Sequence, residues 1–150
     1  MSTPFQQNGR VVLVTGGASG IGESTSRVFA AAGAQVVIAD IDLTRGEALA
    51  AQLPNGARAI RCDVTNEEEV KGIFGSLESL DVLVNNAGIG LVGNVEETEM
   101  ADFERLMRVN VTGPYLITKY AMPLLLKSAG RIVNIGSVAG LIGVKRRYAY

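Results

Sequence analysis

Two side chains near the end of the sequence could take part in proton transfer. Ser137 and Tyr150 stand thirteen residues apart in the stretch GSVAGLIGVKRRYAY, which runs from 136 to 150. A serine hydroxyl can donate a hydrogen bond to an oxygen atom, and a phenol can donate a proton. Serine is also a common turn residue, so both side chains could simply belong to a loop.

The composition excludes several other catalytic sets. The chain has no histidine, which excludes Ser-His-Asp triads and histidine-ligated zinc hydrolase sites. Cys62 is the only cysteine, which excludes an internal disulfide and a thiolate metal cluster. We therefore predict no metal site, and we expect Tyr, Lys, Asp or Glu side chains to carry any acid–base chemistry.

A glycine-rich stretch, TGGASGIG from 15 to 22, could bind a phosphate group. It lies where a predicted strand becomes a helix, and the free N–H groups and positive end of a helix attract anions. Gly16 is expected to close the turn, Gly20 to let the backbone approach a pyrophosphate, and Gly22 to let the helix pack on the sheet. A plain strand-to-helix turn is the simpler interpretation.

Two acidic positions extend this candidate site. Asp40 ends the second predicted strand, about twenty residues after the glycines, where a carboxylate can accept hydrogen bonds from both hydroxyls of an adenosine ribose. The same charge would repel a 2′-phosphate, and no Arg or Lys adjoins Asp40, so we predict NAD rather than NADP. At the end of the third strand, the Asp63 side chain or the Val64 backbone could contact the edge of adenine. Alternatively, Asp63 caps the helix that starts at Asn66.

Five short runs rich in Val and Ile are predicted to be strands of a parallel sheet, because they lack polar alternation. They lie at 11–15, 35–40, 57–63, 81–85 and 131–135. Helical spacing is found at 23–32, 43–53 and 66–77, and a capping box of Thr65 and Glu68 is predicted to start the third of these helices. A longer helical segment is predicted from Thr98, as N-cap, to 128, with kinks or breaks at Pro114 and Pro123.

This alternation of strands and helices predicts an α/β fold with a doubly wound parallel sheet of the Rossmann type, in one domain spanning 1–150. With 14 basic and 15 acidic residues, the net charge of −1 argues against a nucleic acid partner, and Lys145-Arg146-Arg147 is expected to be a solvated loop. The apolar runs are too short for a membrane span, and the polar first ten residues lack a signal core. We therefore predict a cytoplasmic protein.

As a set, these motifs resemble the short-chain dehydrogenase/reductase family. The resemblance rests on TGGASGIG, Asp40, CDVT at 62–65, NNAG at 85–88, Asn110, and Ser137 followed by Tyr150, and it spans nearly the whole chain. It implies that the first five strands of that family's Rossmann-type sheet are present. It also implies an NAD(H)-dependent oxidoreductase that transfers a hydride to or from the carbon of a small-molecule alcohol or ketone.

The resemblance further implies roles for individual residues. The dinucleotide is expected to contact Gly16, Ser19, Gly20, Ile21, Gly22 and Asp40, with Asn86 and Gly88 beside it. Ser137 would bind the substrate oxygen, Tyr150 would act as acid and base, and Asn110 would organise a water molecule in a proton relay.

In the family, a lysine four residues after the tyrosine favours the phenolate, because a free phenol has a pKa of about 10. That position lies beyond Tyr150, so we expect the 150 residues to be part of a longer enzyme. A truncated, non-catalytic NAD-binding module and a methyltransferase that uses adenosylmethionine are the alternatives. The apolar face of 98–128 could pack against its copy in a homo-oligomer, a dimer or tetramer when complete, or could be internal core.

Overall fold

Five parallel strands form one sheet in the computed structural model, which describes residues 5–149. The strands are β1 (Val11–Thr15), β2 (Gln35–Asp40), β3 (Arg58–Arg61), β4 (Val82–Asn85) and β5 (Arg131–Asn134). Their order across the sheet is β3-β2-β1-β4-β5, and each neighbouring pair is parallel. The predicted doubly wound, Rossmann-type sheet is confirmed. Its strand order reverses between β1 and β4, the point where such sheets bind ligands.

Five α-helices connect these strands in the described part of the chain. They are α1 (Gly20–Ala31), α2 (Leu43–Ala50), α3 (Glu67–Gly75), α4 (Met100–Met107) and α5 (Gly113–Ser128). Short 3-10 turns lie at Val95–Glu97 and Val138–Gly140, and a π-helical turn, Arg108–Thr112, joins α4 to α5. Between residues 5 and 149, no helix has the length and apolar character needed to cross a bilayer.

The central strands are buried on both faces, which explains why their sequences lack polar alternation. Leu13 of β1 belongs to an apolar layer that includes Ile117 of α5, whereas Val12 and Val14 belong to the opposite layer with Leu49 of α2. Four of these five side chains are completely inaccessible, and Leu49 is nearly so. This packing holds the carboxyl ends of the strands in a fixed arrangement for a site at that edge.

The predicted start of α3 is wrong. Asn66 is the N-cap, because its side-chain oxygen accepts hydrogen bonds from the N–H groups of Glu68 and Glu69 at 3.1 and 3.2 Å. Thr65 donates its hydroxyl to Asp63 instead, so the predicted capping box of Thr65 and Glu68 does not form. Asp63 does not cap α3 either. An Asn side chain caps as well as Thr, so local sequence alone did not distinguish the adjacent residues.

The predicted N-cap at Thr98 is also wrong. Its hydroxyl donates to the carbonyl oxygen of Asn94 at 2.7 Å and closes the turn at Val95–Glu97. α4 begins two residues later, at Met100, with Glu99 at its N-cap.

The break in the long helical segment falls at the π-helical turn, before the prolines. Pro114 lies in the first turn of α5, and Pro123 lies inside α5 without ending it. Pro114 has no N–H to donate to the carbonyl of Asn110, and its ring would crowd that carbonyl in a regular helix, so the backbone widens there. This wider turn carries Asn110.

Candidate functional site

An open cleft of about 1590 Å³ runs across the carboxyl ends of the strands. It exceeds the roughly 300–1,000 Å³ of ordinary small-molecule pockets, so it has room for an extended ligand such as a dinucleotide. Most of the predicted site residues line it, namely Gly16, Ser19, Gly20, Ile21, Asp40, Asp63, Val64, Asn86, Gly88, Asn110 and Ser137. Gly22 is buried outside the lining. Tyr150 lies outside the described residues, directly after Ala149, which does line the cleft.

The glycine turn is tightly packed on one side and open on the other. Gly16 has φ +59°, and a Cβ there would lie 2.9 Å from the Cα of Ala87. A Cβ on Gly22 would lie only 2.0 Å from the carbonyl oxygen of Gly16. At Gly20, by contrast, no described heavy atom beyond its chain neighbours and the backbone of its own helix lies within 4 Å of the corresponding position. The turn therefore needs glycine for its own packing and leaves open space above Gly20.

The first turn of α1 presents unpaired backbone donors to the cleft. Ser19 is the N-cap, with extended backbone, and its hydroxyl makes no capping hydrogen bond. The N–H of Glu23 is the donor to the Ser19 carbonyl oxygen, at 3.0 Å. The N–H groups of Gly20, Ile21 and Gly22 precede this bond and have no acceptor within the helix. Together with the positive helix end, they suit an anionic group such as a pyrophosphate.

The Asp40 carboxylate is oriented by two backbone donors. Its Oδ2 accepts from the N–H of Ala18 at 2.9 Å, and its Oδ1 accepts from the N–H of Asp42 at 3.0 Å. Arg61 is the register partner of Asp40 on β3, but its guanidinium pairs with Glu69 at 2.6 Å. Arg61 was not foreseen from the sequence, since it adjoins Asp40 neither in the chain nor through the glycine loop and comes near it only by strand register.

β3 ends at Arg61, so Asp63 lies in a turn and not at the end of the predicted strand. Its Oδ1 accepts from both the N–H and the hydroxyl of Thr65, at 2.9 and 2.7 Å. Its carbonyl accepts from the N–H of Asn66 at 3.0 Å. Within residues 5–149, no hydrogen bond reaches Asp63 Oδ2 or the N–H of Val64. The turn thus offers one acceptor and one donor, as the edge of adenine requires.

The pKa values of two side chains next to this turn, Glu69 and Cys62, are shifted in opposite directions. The N–H of Asp63 and the guanidinium of Arg61 hold the pKa of Glu69 below its ordinary value. Burial, reinforced by the nearby carboxylates of Glu69 and Asp63, raises the pKa of the Cys62 thiol to about 12. Glu69 is therefore charged and Cys62 is neutral near pH 7, and Cys62 serves as apolar filling.

The two asparagines of NNAG hold the scaffold together. The side-chain amide of Asn86 donates to the carbonyl oxygens of Thr15 and Gly16, at 2.9 and 3.0 Å, so it fixes the glycine turn. Asn85 donates to Asn134 on β5 at 2.8 Å and to Thr118 on α5 at 3.1 Å. Its own buried oxygen has no partner among the described residues.

Both amide atoms of Asn110 are used by one residue. Its oxygen accepts from the N–H of Ile89, and its nitrogen donates to the Ile89 carbonyl, each at 2.9 Å. A Cβ on Gly88 would lie 3.3 Å from the side-chain oxygen of Asn110, which is a tight contact. Glycine at position 88 therefore leaves space for the Asn110 side chain. The side chain of Asn110 fixes the loop after β4, and its backbone carbonyl lacks a donor at Pro114.

Ser137 lies at the cleft with a hydroxyl that can still donate. It is the N-cap of the 3-10 turn at Val138–Gly140, and its oxygen accepts from the N–H of Ala139 at 3.2 Å. Its hydroxyl hydrogen therefore remains available for an oxygen of a ligand.

The basic run before Tyr150 is docked and is not simply the predicted solvated loop. Arg146 forms an ion pair with Glu97 at 3.1 Å. The N–H of Gly93 donates to the Arg146 carbonyl at 2.9 Å, and the N–H of Tyr148 donates to Gly93 at 3.3 Å. These contacts attach the segment to the loop after β4, which explains how Ala149 reaches the cleft.

Comparisons with known proteins agree with this arrangement. The family described as short chain dehydrogenase matches residues 10–150. An uncharacterized oxidoreductase of Thermotoga maritima is 45% identical over 148 residues, which cover 95% of this chain and 59% of the relative. The L-fucose dehydrogenase of Bos taurus is 43% identical over 147 residues, which cover 95% of this chain and 54% of the relative.

A solved structure, the Pseudomonas aeruginosa RhlG/NADP active-site complex, superposes with a TM-score of 0.92 at 34% identity. The superposition covers 97% of this chain and 62% of that chain. The present chain therefore spans between 54% and 62% of the length of these three proteins.

Proposed function

Because the chain belongs to the short chain dehydrogenase family, we propose that it provides the nucleotide-binding part of an oxidoreductase acting on an alcohol or ketone. The cleft is the observation that carries the proposal. It brings the unpaired N–H groups at the start of α1 together with the oriented carboxylate of Asp40 and the free polar groups of Asp63 and Val64. The family assignment also removes the methyltransferase alternative.

We propose NAD as the cofactor. The two backbone donors hold the Asp40 carboxylate beside the place where the adenosine ribose would lie in a fold of this type. A 2′-phosphate on that ribose would be repelled by the negative charge of Asp40. Arg61 does not offset this repulsion, since its guanidinium is paired with Glu69. The structural neighbour is described as a complex with NADP, so discrimination between the two dinucleotides is the property to test.

Titration with NADH and NADPH, followed by nicotinamide fluorescence, tests the cofactor. We expect the Kd for NADH to be lower than the Kd for NADPH by about tenfold or more, and tenfold corresponds to roughly 1.4 kcal/mol of binding free energy. Asp40→Asn keeps a hydrogen-bond acceptor but removes the negative charge, so it should reduce the preference for NADH over NADPH.

Asp42→Asn is the matched control for that titration. Its carboxylate caps α2 by accepting from Arg45 at 3.0 Å, and Asn also caps well, so the preference should be retained. Equal affinity for NADH and NADPH in the unaltered chain would contradict the assignment of NAD. Binding of neither dinucleotide would contradict the proposed function as a whole.

When bound, the nicotinamide supplies or accepts the hydride. Ser137 would donate its free hydroxyl hydrogen to the substrate oxygen, and Tyr150 would donate or accept the proton. We place the relay water on the backbone carbonyl of Asn110, because its side chain is occupied by Ile89. A positive charge near Tyr150 must lower the pKa of its phenol from about 10 for it to act as a base near neutrality.

Substitution at Tyr150 and Ser137, in the protein that contains this chain, tests the chemistry. Tyr150→Phe removes the proton donor, and Ser137→Ala removes a donor to the substrate oxygen. Each should lower kcat by about 10²-fold or more while leaving the Kd for NADH nearly unchanged. Tyr148→Phe, two residues away, is the control, and an equal loss there would contradict the assignment of Tyr150.

We propose several further properties of this protein. A small-molecule alcohol or carbonyl substrate is supported by the relative named L-fucose dehydrogenase. The balanced charge supports the prediction that nucleic acid is not a partner. We also propose one domain over 1–150, a cytoplasmic location, and a homo-oligomer.

A further inference from the structure

One carboxylate outside the predicted site holds the turn between β3 and α3. Glu69, in the first turn of α3, accepts from the N–H of Asp63 at 2.8 Å through its Oε2. Its Oε1 lies 2.6 Å from the Arg61 guanidinium and 3.3 Å from the side-chain nitrogen of Asn66. We call the pair of Glu69 and Arg61 the β3–α3 clamp. It connects the last residue of β3, the turn, and the cap of α3.

The clamp completes the backbone hydrogen bonding of Asp63. The carbonyl of Asp63 bonds to Asn66, and its Oδ1 bonds twice to Thr65. With its N–H on Glu69, the polar atom of Asp63 that remains is Oδ2. The N–H of Val64 is the adjacent free donor in the same cleft. Removing Glu69 would leave a partly buried N–H without its acceptor and release the backbone that positions both groups.

We propose that Glu69, paired with Arg61, is a positioning residue for adenine recognition by the cofactor site. The clamp orients the turn so that Asp63 Oδ2 accepts from the 6-amino group of adenine and the Val64 N–H donates to its N1. This proposal rests on the proposed function, since it concerns how the nucleotide is read. Hypoxanthine carries an oxygen in place of the amino group and a proton on N1, so it presents the reverse pattern and should be rejected.

The test compares NADH with reduced nicotinamide hypoxanthine dinucleotide, because the two share the fluorescent ring and differ only at the base. We expect the unaltered chain to prefer NADH by about tenfold or more, since both contacts to the base edge are mismatched in the analogue. Glu69→Ala should reduce that preference to about twofold. Glu69→Gln should be intermediate, because its amide oxygen can still accept from Asp63 but its nitrogen cannot pair with Arg61.

Glu68→Ala is the matched control. It removes the neighbouring carboxylate from the same helical turn, but Glu68 is 81% exposed and pairs with Lys71 at 2.6 Å, away from Asp63. Its preference for adenine should therefore equal that of the unaltered chain. Thermal unfolding by circular dichroism checks each variant, and Glu69→Gln carries the test if Glu69→Ala does not fold.

The outcomes separate this proposal from the function on which it rests. Equal weakening of both dinucleotides by Glu69→Ala and by Glu69→Gln, with the preference intact, would show that the clamp is only structural and would overturn the proposal. Tight NADH binding without any preference for adenine in the unaltered chain would overturn it too, while leaving NAD binding in place. Binding of neither dinucleotide would overturn the proposed function and this proposal with it.

Discussion

Several polar side chains around the cleft bind the protein's own backbone. Asn86 fixes the carbonyls of Thr15 and Gly16, and Asn110 binds both backbone groups of Ile89. Such bonds satisfy buried polar groups and make the loops rigid. The ligand-facing chemistry is consequently left to the backbone donors of α1 and to a few free side-chain atoms, such as the hydroxyl of Ser137.

Gly22→Ala tests how tightly the glycine turn is packed. The added methyl group would lie 2.0 Å from the Gly16 carbonyl oxygen and 2.5 Å from the Asn86 amide nitrogen. Since neither can move without breaking the turn, we expect a loss of about 1–3 kcal/mol or more in the free energy of unfolding, and weaker NADH binding. Urea denaturation and fluorescence titration measure the two effects.

Gly72→Ala is the control for that substitution. Gly72 lies inside α3, and apart from its chain neighbours and the backbone of its own helix no described heavy atom lies within 4 Å of a Cβ placed there. Alanine should stabilise the chain there by about 0.5–1 kcal/mol, because it reduces the entropy lost when the helix forms. The close packing around Gly22 would be refuted if both alanine variants were equally stable.

At the scale of elements, α3 and α5 are joined by a charged cluster on the surface. Glu67 on α3 accepts from the hydroxyl of Tyr120 and from Lys119, the latter at 3.2 Å, both on α5. Lys119 also lies 4.9 Å from the centre of the Tyr120 ring. The hydroxyl of Tyr120, followed by Lys119, holds the pKa of Glu67 below its usual 4.5. The cluster connects α3, which follows the turn at Asp63 and Val64, to α5, which follows Asn110.

The lowered pKa of Glu67 predicts a pH dependence of stability. A carboxyl whose pKa is lower in the folded state stabilises the protein above its unfolded pKa, and this contribution is lost as the pH falls through the folded value. Stability should therefore decline below about pH 5, and Glu67→Gln should flatten that decline. The pKa of Glu69 is lowered as well, so part of the decline of stability with falling pH should remain in Glu67→Gln.

Urea denaturation at several pH values measures this slope. Glu47→Gln is the control, because Glu47 on α2 is exposed and has no ion pair with another described residue. Identical slopes for Glu67→Gln and the unaltered chain would show that the cluster does not couple folding to pH.

At the scale of the whole molecule, the segment at 98–128 carries both buried and exposed apolar side chains. Leu116, Ile117 and Leu125 are buried against the sheet, which confirms that one face is internal core. On other sides, Met100 and Leu126 are 68% and 72% exposed. Exposed apolar surface of this kind is typical of interfaces, and it supports the proposed homo-oligomer.

Light scattering coupled to gel filtration tests the oligomer. We expect a mass above that of one chain, and Leu126→Glu should lower it by placing a charge at the interface. Val28→Glu introduces the same charge at a 57% exposed position on α1, on the opposite side of the sheet, and should leave the mass unchanged. A monomeric mass for the unaltered protein would contradict the proposal.

The sequence by itself determined the sheet, the glycine turn and the family resemblance. Runs of Val and Ile predict buried strands because their side chains fill both apolar layers, and the glycines predict the turn because Gly16 and Gly22 leave no room for a Cβ. The position of Asp40 at the end of β2 was predictable from its distance along the chain from the glycine turn. One helix and the strand that follows it have nearly constant lengths in such folds.

Only the tertiary structure decided which polar groups meet. The clamp of Glu69 and Arg61, the pairing of Asn110 with Ile89, and the docking of Arg146 on Glu97 join residues between eight and 49 positions apart. These contacts depend on strand ends, on a π-helical turn and on the path of loops. Neither side-chain periodicity nor spacing along the chain encodes those features, because each arises when separately folded elements pack together.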